Sequence, residues 1–231
     1  MKLKRSDLNL AFFATMYGIY LAFYMISNFF GVYAPSANLI PGEGMHWWQF
    51  FYYFTQQNNM LLITWSLAFG LSSFLGWKKV YDFVSQRIVL IALTVYLTIV
   101  FIIVALNLNS IFTGEWLPFE SSSEFIYHNF SSIYMWIMFF FIKGQGKVKP
   151  ASAWWILIYP FVYFLAHTVI GLTLTFRDGE PAFNYAFINP NIYASTFYIP
   201  WVLLVVALTG IFGVFGLGLI RFKNFIDRID N

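Results

Sequence analysis

Tyr52-Tyr53-Phe54-Thr55-Gln56-Gln57-Asn58-Asn59-Met60-Leu61-Leu62 sets four consecutive carboxamides and a hydroxyl inside a long apolar run. Apolar residues flank it from Trp47 to Phe51 and from Met60 to Leu75. An unpaired amide costs roughly 2–7 kcal/mol in an apolar medium. A central Leu, Ile or Phe contributes only about 0.3–0.6 kcal/mol to membrane insertion. The amides must therefore bond to neighbouring helices or line a wet cavity. At about 100° per residue, Tyr52, Thr55, Gln56 and Asn59 share one helical face, with Asn58 at its edge. Gln57 points to nearly the opposite side. A helix polar on two sides is expected inside a bundle, with protein on both flanks.

The rest of the chain has the composition of a membrane protein. Of 231 residues, 60% are hydrophobic and 10% charged, and mean hydropathy is +0.67. Soluble domains carry about 25% charged residues. Aromatic content is 23%, with 29 Phe. No cysteine is present, which excludes disulfides, thiolate catalysis and thiolate metal sites.

Apolar runs predict an all-α, polytopic fold: a single domain over 1–231 made of six transmembrane helices. The spans are about 8–30, 47–76, 88–112, 124–141, 151–176 and 195–220. The basic start at Lys2, Lys4 and Arg5 precedes a run too long for a signal peptide. Val80, Tyr81 and Phe83 are expected at the interface between the second and third spans. Arg221 to Asn231 reads as a basic tail. Twelve of the 13 basic residues fall in the N-tail, the second and fourth connections and the C-tail. Arg177 is the exception, on the side that carries six of the ten acids. The positive-inside rule then puts both termini in the cytoplasm, with the protein in the plasma membrane.

In this orientation the polar residues collect beneath the outer surface: Thr55 to Asn59, Asn107, Asn109, His128 and His167. Tyr159, Tyr163 and His167 repeat every four residues along the fifth span. A cavity open to the outer side is expected between the second, fourth and fifth spans, lined by Thr55, Asn59, His128, Tyr163 and His167. Tyr159-Pro160 should kink its helix. Gly210, Gly213, Gly216 and Gly218 should permit close packing or bending. His46 reads as an interfacial histidine and Arg177-Asp178 as a solvated pair. Three scattered histidines without metal-binding spacing give no metal site, and no phosphate loop or dinucleotide fingerprint implies a cofactor. Nothing suggests nucleic acid. The expected partner is a membrane lipid or small amphiphile.

Tyr53-Phe54-Thr55-x-Gln57-x-Asn59-x-Leu61 resembles the Y-F-T-x-Q-x-N-x-L signature of a bacterial six-helix membrane-protein family. That family looks related to the eukaryotic androgen-induced, FAR-17a-like proteins, intramembrane threonine hydrolases of fatty-acid esters of hydroxy fatty acids. A more distant branch includes membrane acyltransferases. His128 at the start of the fourth span, Tyr159-Pro160 with Tyr163, and Tyr185 to Asn189 add to the likeness. The sequence departs from it at Asn58, Ala186 and Asn189, and in lacking a proline shortly after His128. The resemblance implies Thr55 as nucleophile and His128 as base. Gln57, Asn58 and Asn59 are then candidate oxyanion donors, and Tyr163 and His167 substrate contacts. Two readings compete with this hydrolase or acyl-transfer enzyme. One is a non-catalytic lipid-binding module; the other is a small transporter or assembly partner. The separation of Thr55 from His128 discriminates between them, because a base must lie about 2.6–3.2 Å from its hydroxyl.

Overall fold

The computed structural model describes residues 5–33, 53–105, 125–174, 189 and 201–229. Helices α1 (Arg5–Tyr33), α2 (Phe54–Leu75), the short α3 (Lys78–Val84) and α4 (Arg87–Ala105) come first. A π-helical segment, Phe125–Phe130, runs into α5 (Ser131–Phe141). A 3-10 turn, Pro150–Ser152, leads into α6 (Ala153–Thr173), and α7 is Trp201–Ile229. Among the described residues, four stretches are long and apolar enough to cross a membrane: 7–30, 87–105, 150–173 and 205–228. Helix α2 is 22 residues long but holds the four amides, and α5 spans only 11 residues beyond its π-helical start. His46, Asn107, Asn109, Arg177-Asp178 and Tyr185 to Ile188 lie outside the described residues.

The second helix does not run unbroken from Trp47. Tyr53 is extended (φ −67°, ψ 133°), so α2 starts at Phe54 and the amides occupy its first two turns. Nor is α2 enclosed on all sides. Met60, Leu61, Thr64, Leu71 and Leu75 form an exposed strip below the half-buried Gln57. Enclosure is confined to the turns that carry the polar run, where Thr55, Asn58 and Asn59 are buried. Opposite the strip, α2 packs on α1 so closely that a Cβ at Gly70 would sit 2.8 Å from the Ala11 carbonyl oxygen.

Two apolar clusters share α2. One joins α1, the body of α2 and α5 through Tyr17, Leu21, Leu62, Trp65 and Tyr134. The other joins the first residue of α2 to α4, α6 and α7 through Phe54, Val95, Tyr163 and Phe212. Pro160 lies within α6 and cannot donate to the carbonyl one turn earlier. Tyr96 of α4 supplies the missing donor: its hydroxyl bonds the Ile156 oxygen at 2.8 Å. Among the four glycines of α7, Gly216 takes the close contact, 3.0 Å from a built Cβ to Ile156. A Cβ at Gly210 or Gly218 would meet nothing within 4 Å, contrary to the expected packing stripe.

Residues 221–229, expected as a basic tail, form the last turns of α7. Lys223 and Asp227 are 0% and 5% exposed. Lys223 donates to the carbonyls of Phe139 and Ile142, closing the last turn of α5. Its ammonium lies 3.2 Å from Asp227. Arg87 Nε is 2.8 Å from Asp227 Oδ2, an ion-pair contact whose N–H is not aligned as a hydrogen bond. Arg87 also donates to Asn224 Oδ1 at 2.6 Å and to the Gly144 oxygen at 3.2 Å. Gly144 must be glycine here, since a Cβ would fall 2.8 Å from the Arg87 Cα. The connections on either side of α4 and α5 meet in a bridge, Gln145 N to Ser85 O and Arg87 N to Gln145 O. Helix α3 packs Tyr81 on Phe69 (5.7 Å) and takes the Trp65 indole on its Val84 carbonyl, while Val80 and Phe83 stay exposed.

Replacing Asp227 with Ala leaves two buried or nearly buried cations without their carboxylate. The expected loss is about 3–5 kcal/mol, seen as a lower unfolding midpoint in detergent. An unchanged midpoint contradicts the buried ion cluster.

Candidate functional site

Thr55 sits in the first turn of α2, beside the extended Tyr53. The N–H groups of that turn have no acceptor within the helix. They form its positive end, which favours negative charge. His128 lies on the π-helical segment, whose wider turn is a geometry frequent at functional sites. Thr55 Oγ1 and His128 Nε2 are 3.1 Å apart. For Nε2 to accept the threonine proton, the imidazole must carry its hydrogen on Nδ1.

Thr55 differs from the other threonines in position, because the residue four before it, Phe51, precedes the start of α2. Thr15, Thr64, Thr94, Thr98, Thr168, Thr173 and Thr209 each donate their hydroxyl to the carbonyl four residues earlier. That is the default for a helix threonine in an apolar environment. Thr55 alone among the described threonines meets an imidazole.

Asn59 clamps the pair in place. Its amide nitrogen donates to the Thr55 carbonyl at 2.8 Å and to the Tyr127 carbonyl at 3.1 Å. Its oxygen accepts from Ser131 Oγ at 2.6 Å. One side chain thus ties the backbone of the threonine to the backbone beside the histidine. With both amide hydrogens spent, Asn59 has none left for an oxyanion. Ser131 Oγ is 2.9 Å from the Tyr17 hydroxyl. The other two partners of the serine hydroxyl, Asn59 Oδ1 and the Ile126 carbonyl at 3.1 Å, can only accept, so Tyr17 donates to the serine. Tyr17 stacks on Tyr134 at 3.7 Å, and the Tyr134 hydroxyl is 3.1 Å from Ser66 Oγ. Ser132 Oγ reaches the His128 carbonyl at 2.6 Å and that of Leu97 at 2.7 Å, seating the π-helical segment against α4.

The remaining expected residues lie on the other flank of the same turn. Phe54 packs against Tyr163 (4.8 Å), Tyr159 (5.4 Å) and Phe212 (5.9 Å). His167, fully buried, is 5.2 Å from the Tyr163 ring. Tyr163 and His167 therefore belong to the cluster around Phe54, whereas Thr55, Asn59 and His128 face α1 and the π-helical segment. Gln57 accepts the Tyr159 hydroxyl at 3.1 Å, which gives it a protein partner opposite Thr55. Asn58 is fully buried and donates to the Phe54 carbonyl at 2.8 Å. Its oxygen has no donor among the described residues.

Sequence reasoning missed Tyr17 and Ser131. Tyr17 sits in an apolar run without a polar neighbour, and only the register of α1 against α5 reveals it. Ser131 did carry a signal, one turn beyond His128. Among the described residues no group of three His, Asp or Glu could hold a metal ion. No family model matches this chain, and neither a curated protein nor a solved structure does.

Asn59→Leu strips partners from Ser131 and from two buried carbonyls. It should lower stability by about 1–3 kcal/mol. Thermal unfolding in detergent reads this, and a midpoint equal to wild type would show that the clamp does not form.

Proposed function

We propose that this chain is an intramembrane enzyme that cleaves or transfers the acyl group of lipid-like esters, with Thr55 as nucleophile and His128 as general base. The observation that carries the reading is the 3.1 Å contact between them, in the first turn of α2. The resemblance of Tyr53 to Leu61 to the signature of a bacterial six-helix family, which looks related to the threonine hydrolases, supports the same roles.

In the proposed reaction His128 Nε2 takes the hydroxyl proton as Thr55 Oγ1 attacks the ester carbonyl carbon. The carbonyl oxygen gains the charge of the tetrahedral intermediate beside the first-turn N–H groups of α2. Collapse breaks the bond to the alkoxy oxygen, which leaves as an alcohol carrying the proton held by His128. An acyl-threonine remains. Water, deprotonated by His128, then hydrolyses it to a fatty acid and free Thr55; a second alcohol in place of water gives acyl transfer. Asn59, Ser131 and Tyr17 hold the geometry. Gln57, Asn58, Tyr163 and His167 shape the flank toward α6.

The proposed setting is a bundle of six transmembrane helices in the plasma membrane, with both termini cytoplasmic and the pair in the outer half of the bilayer. The twelve-to-one segregation of basic residues supports it. Reporter fusions after Asn231 and near Glu180 should give cytoplasmic and extracytoplasmic signals respectively. A C-terminal extracytoplasmic signal reverses the orientation.

The chemical test uses purified protein, fluorogenic acyl esters and a serine/threonine-directed fluorophosphonate. Wild type should turn over and label. Thr55→Ala should do neither, and His128→Ala should be slower by about 10²–10⁴-fold, the usual contribution of a general base. A folded wild type inert to both reagents leaves the pair structural and makes the chain a lipid-binding module.

A further inference from the structure

An apolar groove of about 600 Å³ runs between α6 and α7, on the periphery of the molecule and apart from Thr55 and His128. Leu157 and Phe161 wall one side; Val206, Gly210, Gly213 and Leu217 form the other. The groove exists because two of those positions lack a side chain. A Cβ at Gly210 would meet no atom within 4 Å, and one at Gly213 would only touch Leu157 at 3.4 Å. Thr209, a polar side chain in the lining, has its hydroxyl committed to the Val205 carbonyl at 2.7 Å. Apart from the indole N–H of Trp154 near the Pro150 end, the lining side chains offer a ligand no free polar group, so the occupant of the groove is hydrocarbon.

Length and charge narrow the occupant further. From Val205 to Leu217 the helix rises about 18 Å at 1.5 Å per residue. The hydrocarbon of one leaflet is about 15 Å, half of a 30 Å core. The groove thus matches one acyl chain of one leaflet. Its rim at one end is Pro150 and Ala151, and Lys149 immediately precedes them. On α7 the lining positions 206, 210, 213 and 217 continue one turn on to Arg221. Lys149 and Arg221 are exposed, as is Lys147, and none of the three is ion-paired with another described residue. A hydrocarbon slot of leaflet length with two unpaired cations at its open end is complementary to an anionic amphiphile.

We propose that the α6–α7 groove is a binding site for an anionic phospholipid, with an acyl chain between Phe161 and Gly210 and the headgroup against Lys149 and Arg221. It is distinct from the site of Thr55 and does not depend on the enzymatic reading. On the orientation proposed above, the lipid belongs to the inner leaflet.

Native mass spectrometry of the delipidated protein, titrated with phosphatidylglycerol or phosphatidylcholine, tests it. Wild type should take up phosphatidylglycerol at about tenfold lower concentration, the order expected for basic residues at an anionic surface. Gly210→Leu fills the slot in open space with a better helix former, so the fold survives. It should weaken phosphatidylglycerol uptake about tenfold. Lys149→Gln with Arg221→Gln should remove the headgroup preference while leaving phosphatidylcholine uptake as it was. Equal uptake of the two lipids by wild type, or unchanged uptake by Gly210→Leu, overturns the proposal. So does a wild-type dimer that Gly210→Leu converts to monomer, because the occupant is then a second copy of this chain.

Discussion

Hydrocarbon offers no hydrogen bonds, so each polar group inside this bundle has to be answered by another part of the protein. Asn59 shows what that requirement builds. Its three hydrogen bonds run to the Thr55 backbone, the Tyr127 backbone and Ser131, and Ser131 passes the link on to Tyr17. Helices α1, α2 and α5 are thereby placed relative to one another by polar contacts whose distances tolerate little error. Apolar packing alone would allow them to slide. The 3.1 Å approach of Thr55 to His128 follows from that placement. The threonine and the histidine are held by the backbone segments that Asn59 joins.

The same requirement takes a different form elsewhere. In α6 the defect is a missing donor at Pro160, and a single tyrosine from α4 repairs it. At the other end of the bundle the groups are charged, and repair takes a cluster. Arg87, Lys223 and Asp227 balance to one net positive charge, and the carbonyls of Phe139, Ile142 and Gly144 take up remaining donors. A buried ion cluster adds little stability relative to an apolar replacement, because desolvation offsets most of the attraction. What it does supply is register: α7 cannot slide by a turn against α4 and α5 without stranding a charge.

Much of this was legible in the sequence, because helix periodicity reports which residues share a face. It put Thr55 and Asn59 together and Gln57 opposite, and each has partners on its own side. It also marked His128 as a polar residue near the start of a helix. Periodicity is silent on how a helix is rotated against its neighbours. Only the structure shows that Tyr163 packs on Phe54, the residue before Thr55 in the first turn of α2. Periodicity is equally silent on whether a basic segment such as 221–229 extends the last helix and packs against its neighbours. Lys223 and Asp227 are spaced as an i,i+4 pair, and nothing local distinguishes a surface pair from one that closes over Arg87.

The first turn of α2 carries the consequence for function. Adjacent residues there, Phe54 and Thr55, belong to different clusters, one toward α4, α6 and α7 and the other toward α1 and the π-helical segment. Any rotation of α2 that improved the packing of Phe54 would carry Thr55 with it, through about the same angle. Gln57 and Asn59 oppose such rotation from the two flanks, one bonded to Tyr159 of α6 and the other to Tyr127. The carboxamides that made this stretch so unfavourable for lipid are the groups that fix the azimuth of the helix. A run of leucines would insert more readily but would remove the amide bonds that hold the backbone of Thr55 and of Tyr127 together beside His128. Polarity in this turn is therefore a condition for holding a hydroxyl against an imidazole within a membrane bundle.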